Sequence, residues 1–144
     1  AGGKTPLSSM SPSIVLKDKK PYLAIGSAGG PRIITGTLQG IINAIDFDMN
    51  PEQLVNAPYV NCLTREQGLE AEFGISQDTL RLLEERGHKP VCIEADQAMS
   101  TMVNSVMLKD GEYYAAGTKR VDGCGGVLLS NGNIILEGIS QEIS

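Results

Sequence analysis

The sequence predicts an α+β fold with a largely antiparallel sheet, on three observations. Short β-prone runs come in neighbouring pairs joined by turn residues, and helical stretches with capping signals lie between the pairs. No internal repeat or low-complexity tract interrupts the 144 residues. That length suits a single domain, 1–144, built around one core.

Residues 1–12, AGGKTPLSSMSP, carry no apolar periodicity and read as a loop. Runs 13–16 and 22–25 flank a polar Lys-Asp-Lys-Lys-Pro break, which is hairpin grammar. Both runs are apolar at nearly every position, so both strands are expected to be buried on both faces. GSAGG then turns the chain, and Pro31 takes a first helical position, where its missing N–H has no partner to lose. Over 31–47, Ile34, Leu38, Ile41 and Ile45 recur at spacings of four, three and four, widened by Ile33 and Ile42. This stripe is expected to face the core. Gly36 and Gly40 each cost up to about 1 kcal/mol relative to alanine in a helix, and close packing of the helix on a sheet is the expected compensation.

Asn50 caps a short helix opened by Pro51, with Gln53 able to reach back; it should end before Pro58. Segment 59–63 reads as a strand, and 64–74 as a charged, irregular surface connection. Ser76 caps a helix over 77–86 with Leu80, Leu82 and Leu83 inward, and Gly87 supplies its left-handed stop. Strands over 99–108 and 112–116 form a second hairpin on Lys109-Asp110-Gly111. A third joins 127–130 to 134–136 through Asn131-Gly132.

A net charge of −5 argues against a nucleic-acid or anionic-membrane surface, which needs a basic face. No run approaches the roughly eighteen apolar residues of a membrane span. Cys62, Cys92 and Cys124 form no CxxC pair, and with His88 as the sole histidine the usual zinc sites are excluded. An odd count predicts free, buried thiols. No metal or organic cofactor is indicated.

Two segments could carry chemistry. GSAGGPR, 26–32, lies between a strand and a helix, where glycines admit a ligand to the backbone and the helix start offers N–H groups. Such a turn suits a carboxylate, a phosphate or the oxyanion of acyl transfer, or it is a tight turn with no ligand. It matches neither common nucleotide-binding glycine pattern. Ser8 and Ser9 in PLSSMSP are adjacent hydroxyls that can grip an anion, or are simply solvated. Neither has a visible base, and His88 follows a helix-stopping glycine without a GxSxG partner. Met99, Met102 and Met107 read as core filler. Asp46, Asp48, Glu52, Glu84 and Glu85 read as solvated charges, and Lys119 and Arg120 either bind an anion or are ordinary exposed surface cations.

Together these pieces carry a resemblance. PLSSMSPSIVLKDKKPYLAIGSAGGPRIITGTLQGIINAIDFDMN resembles the small subunit of γ-glutamyltranspeptidases, and NAPYV, GIS, LRLLEERGH, DQAMS and GCGG follow in that family's order. The likeness runs from Gly3 to Gly126. It implies part of an αββα N-terminal-nucleophile hydrolase sandwich made from a self-cleaving precursor. There, a threonine freed at the small-subunit N-terminus attacks a γ-glutamyl amide, typically of glutathione. The acyl group then passes to an amino acid, a dipeptide or water.

The resemblance also implies roles. Ser8 and Ser9 correspond to the pair that holds the substrate's α-carboxylate, and Gly29 and Gly30 to the pair whose amides form the oxyanion hole. The threonine is expected upstream of Ala1; Thr5 is not the nucleophile. The implied partners are the upstream part of the small subunit, the large subunit and a γ-glutamyl small molecule, with no nucleic acid and no membrane. Alone, 1–144 is expected to be inactive and to expose apolar faces or self-associate. Export is implied by the same resemblance. Tyr59 stands where the family usually has arginine, and Thr118 replaces a usual aspartate, which leaves acceptor preference open. The alternative is a non-catalytic module that binds small carboxylates or serves assembly.

Overall fold

The computed structural model describes residues 2–5, 8–62, 64, 66, 68–93, 101–136 and the backbone of 139–143. β1 (Ser13–Lys17) and β2 (Lys20–Ala28) form the first hairpin. Asp18 and Lys19 turn it at φ of 50° and 64°, the doubly left-handed geometry that matches strand twist. A single 3-10 turn, Gly30–Arg32, leads into α1 (Ile33–Ile45), followed by α2 (Pro51–Asn56). The predicted capping box of α2 is present: Asn50 Oδ1 accepts from Gln53 N–H at 2.9 Å, and Gln53 Oε1 accepts from Asn50 N–H at 3.0 Å.

A small sheet follows, from β3 (Val60–Asn61), β4 (Leu69–Glu72) and β5 (Pro90–Ile93), with α3 (Gln77–Glu85) crossing between the parallel pair β4 and β5. The chain then returns to the first sheet as β6 (Met102–Lys109), β7 (Glu112–Gly117), β8 (Gly125–Leu128), β9 (Ile134–Leu136) and β10 (Ile139–Ile143). Its order is β1-β2-β6-β7-β8-β9-β10, with every described pairing antiparallel. The expected α+β class with a largely antiparallel sheet holds.

The core lies under α1 and α2, where Leu23, Ile25, Val103, Met107 and Ala116 of the large sheet meet Ala44, Leu54, Val55 and Tyr59. Packing of α1 on glycine is found as expected. A Cβ at Gly36 would lie 2.0 Å from Thr101 Cγ2, and one at Gly40 would lie 2.5 Å from Ile25 Cδ1. The apolar stripe points elsewhere. Gly36, Thr37, Gly40 and Ala44 face the sheet, while Ile34, Leu38, Ile42 and Ile45 are exposed and Ile41 is half-buried. The bulky sheet residues Ile25 and Val103 already fill the interface, so the face with the smallest side chains fits against them.

Other expectations are corrected. β1 and β2 are buried on one face only: Leu23 and Ile25 are enclosed, whereas Ile14, Leu16 and Ala24 are exposed. Segment 64–74 is not merely a surface connection, because β4 is the middle strand of the small sheet, with Leu69, Ala71 and Glu72 buried. The strand expected over 59–63 reduces to Val60–Asn61, and Leu63 lies outside the described residues. Leu80 is buried and Leu83 half-buried, but Leu82 is exposed. Met107 is core and Met102 half-buried; Met99 lies outside the described residues, as does DQAMS.

Candidate active site

Gly29 and Gly30 follow directly on β2 at φ of +127° and +58°, both in the region that disfavours side chains. The turn closes through Arg32, whose N–H donates to Gly29 O at 3.2 Å. No turn or loop hydrogen bond among the described residues uses the N–H of Gly29 or Gly30. Gly29 is buried and Gly30 exposed, so the pair spans the boundary between protein and solvent.

Ser8 and Ser9 lie in the loop before β1, Ser8 exposed and Ser9 half-buried. Ser8 Oγ accepts from Met10 N–H at 3.4 Å, and Ser9 O accepts from the Ser11 hydroxyl at 3.0 Å. Ser13 pairs with Ile25, three residues before β2 ends at Ala28. The serine loop and the glycine turn therefore leave the hairpin at the same end. No hydrogen bond joins them among the described residues.

The first turn of α1 is tied to the small sheet. Arg32 forks onto Glu70, Nε to Oε2 and Nη2 to Oε1, each at 2.7 Å. Asn61 Nδ2 donates to Glu70 Oε2 at 3.0 Å. The Thr35 hydroxyl lies 2.8 Å from Asn61 Oδ1 and 3.1 Å from the Arg32 carbonyl. One turn on, Gln39 takes both backbone groups of Val60, donating to its O at 2.7 Å and accepting from its N–H at 3.0 Å. The Arg32 hydrogen bond holds the Glu70 carboxyl below its ordinary value against the opposing effect of burial, and Asn61 reinforces it.

A second arginine is buried where the sequence points to a surface cation. Lys119 is an exposed cation as expected, paired with Glu52 at 2.8 Å, but the Arg120 side chain is only 9% exposed. Its five donors are all engaged: Nε and Nη2 on Glu72, Nη2 also on Ala57 O, and Nη1 on Val55 O and Thr118 Oγ1. The guanidinium also sits 5.4 Å from the centroid of the Tyr59 ring. Burial pushes the Tyr59 phenol far above its ordinary range, outweighing the pull of Arg120. Period-two alternation in Leu69-Glu70-Ala71-Glu72 was the available signal for the strand that organises both arginines.

The remaining candidates are quiet. His88 is exposed at the end of α3. The three cysteines are free, as expected, but all are exposed rather than buried, because each lies at a strand end, an edge strand or a turn. Among the described residues no group of three or more His, Cys, Asp or Glu is placed to hold a metal ion, and no helix is long and apolar enough to cross a membrane.

The antiparallel sheet with helices on one face, opened by a hairpin whose end gathers hydroxyls and bare amides, belongs to the N-terminal-nucleophile hydrolase class. Residues 1–127 match the γ-glutamyltranspeptidase family, and the chain belongs to that family. It is 44% identical over 117 residues to the glutathione hydrolase proenzyme of Escherichia coli, covering 81% of this chain and 20% of that relative. It is 34% identical over 123 residues to the acylase ACY 1 proenzyme of a Pseudomonas species, covering 85% and 21%. A solved mutant γ-glutamyltranspeptidase of Helicobacter pylori superposes with a TM-score of 0.74 at 38% identity, over 83% of this chain and 65% of that one. The chain thus spans about a fifth of the length of these curated relatives.

Proposed function

We propose that these residues form part of an enzyme that transfers or hydrolyses γ-glutamyl groups. Membership of the family, with Ser8, Ser9 and the GSAGG turn at one end of the β1–β2 hairpin, carries this reading. A threonine hydroxyl from polypeptide other than residues 1–144 adds to the γ-amide carbon of a glutathione-type donor. The carbonyl oxygen becomes an oxyanion, received by the N–H groups of Gly29 and Gly30. The C–N bond breaks, the amine leaves with a proton, and an ester remains on the threonine. An amino acid, a dipeptide or water then takes the acyl group and returns a proton to the hydroxyl.

Ser8 and Ser9 hold the donor's α-carboxylate, a fixed charge present before and after the reaction. Their contribution therefore belongs to binding, whereas that of the glycine amides belongs to the transition state. The rest of the small subunit and the large subunit complete the site and cover the exposed apolar residues of α1. Residues 1–144 alone are catalytically silent.

The test uses the full-length protein and γ-glutamyl-p-nitroanilide. Wild type releases p-nitroaniline, and Ser8→Ala with Ser9→Ala raises KM roughly ten- to a hundredfold or more, the worth of at least one hydrogen bond to a charged group. An unchanged KM refutes the carboxylate grip. The likeness to an acylase proenzyme favours one second reading, the same chemistry on a different acyl group; turnover of another acyl amide but not the γ-glutamyl anilide would select it. Glutamate binding without any turnover would select the non-catalytic module.

A further inference from the structure

We propose that Arg32 is a positioning residue that, held by Glu70, fixes the turn carrying Gly29 and Gly30 so that their amides keep their aim. This rests on the acyl-transfer reading above and adds a residue to it.

The glycine turn has little of its own to hold it still. Both residues occupy left-handed backbone, neither has a side chain, and beyond its chain neighbours no heavy atom lies within 4 Å of where a Gly30 Cβ would be. A bare amide pair needs an external frame, because stabilising a transient charge depends on donors placed before the charge appears. Arg32 supplies that frame twice. Its backbone N–H closes the turn on Gly29 O, and its side chain crosses to the other sheet.

What the side chain meets is a hydrogen-bonded cluster on the small sheet. Arg32 forks onto Glu70, Asn61 holds Glu70 Oε2, and Thr35 lies within reach of both Asn61 Oδ1 and the Arg32 carbonyl. The single Thr35 proton goes to one of those two acceptors at a time, so the constant ties on Arg32 are its fork onto Glu70 and its N–H on Gly29 O. The ion pair is about one-fifth exposed on each side and bidentate, unlike a loose surface contact. A tie meant only to dock α1 on the small sheet already exists about two turns later, where Gln39 grips Val60 through two hydrogen bonds.

That separation provides the control. In the full-length protein, confirmed by gel to have been processed, Arg32→Gln and Glu70→Gln should each lower kcat on γ-glutamyl-p-nitroanilide about tenfold or more, with KM within about twofold. Arg32→Lys, which keeps the charge without the fork, should fall between, and carries the test if Arg32→Gln does not mature. Gln39→Ala should lower the melting temperature with kcat nearly intact. Deuterium uptake over 26–36 should quicken in Arg32→Gln relative to wild type. A kcat within twofold of wild type in Arg32→Gln overturns the proposal, as does an equal kcat loss in Gln39→Ala at matched thermal stability. A wild-type protein without anilide turnover overturns the acyl-transfer reading instead. The tether is then judged by uptake, and unchanged uptake in Arg32→Gln overturns it.

Discussion

Glu72 grips Arg120 across the two sheets: the carboxylate stands on β4 of the small sheet, and the guanidinium reaches it from the turn between β7 and β8 of the large one. Glu72 also accepts the N–H of Tyr59 at 2.9 Å, and the Tyr59 hydroxyl donates to Leu54 O at 2.7 Å. One carboxylate thereby orders the entry to β3, the exit of α2 and the β7–β8 turn. Two residues earlier on the same strand face, Glu70 does the corresponding job for Arg32.

Glu72→Gln should destabilise the fold by about 3–5 kcal/mol, because it leaves a buried guanidinium without its countercharge. Arg120→Met should cost a similar amount, and the double variant less than the sum of the two by more than about 1 kcal/mol. Urea unfolding of the three variants measures this. Strict additivity would mean that the two groups do not act as a unit.

The Glu70–Arg32 pair should impose an acid limit. Glu70 titrates below its ordinary value of 4.5 in the fold, so its contribution is fully present above that value and is lost as pH falls through the lower folded value. Melting temperatures taken downward from about pH 6 should therefore fall less steeply in Glu70→Gln than in wild type, from a lower starting point. Parallel curves would show that the pair carries no such linkage.

Gly36→Ala should destabilise by about 1–3 kcal/mol although alanine favours helix, because the new methyl meets the stiff, buried Thr101 side chain. Gly40→Ala should cost less, since the obstructing atom is the mobile end of Ile25. Thermal melts rank the two. The reverse order would mean that Thr101 yields more readily than Ile25.

Local grammar made much of this legible in the sequence. The Asn50 capping box and the hairpin break over 17–21 depend on residues close in the chain, and both were readable there. The errors share another cause. Ile34, Leu38 and Ile45 have helical spacing, but spacing does not say which of two faces meets the sheet; that depends on the bulk of Ile25 and Val103, which lie elsewhere in the chain. Arg120 read as a surface cation because its partner Glu72 is 48 residues away, on a strand disguised by charge. The serine pair and the glycine pair became interpretable through family likeness, since neither motif by itself distinguishes a ligand from solvent.

The fit of α1 against Thr101 and Ile25 has a mechanical result. Where a helix backbone rests directly on sheet side chains there is no slack to absorb displacement, and closely packed interiors transmit it. The α1 backbone at Gly40 and Gly36 therefore takes its position directly from Ile25 and Ser27 of β2 and from Thr101.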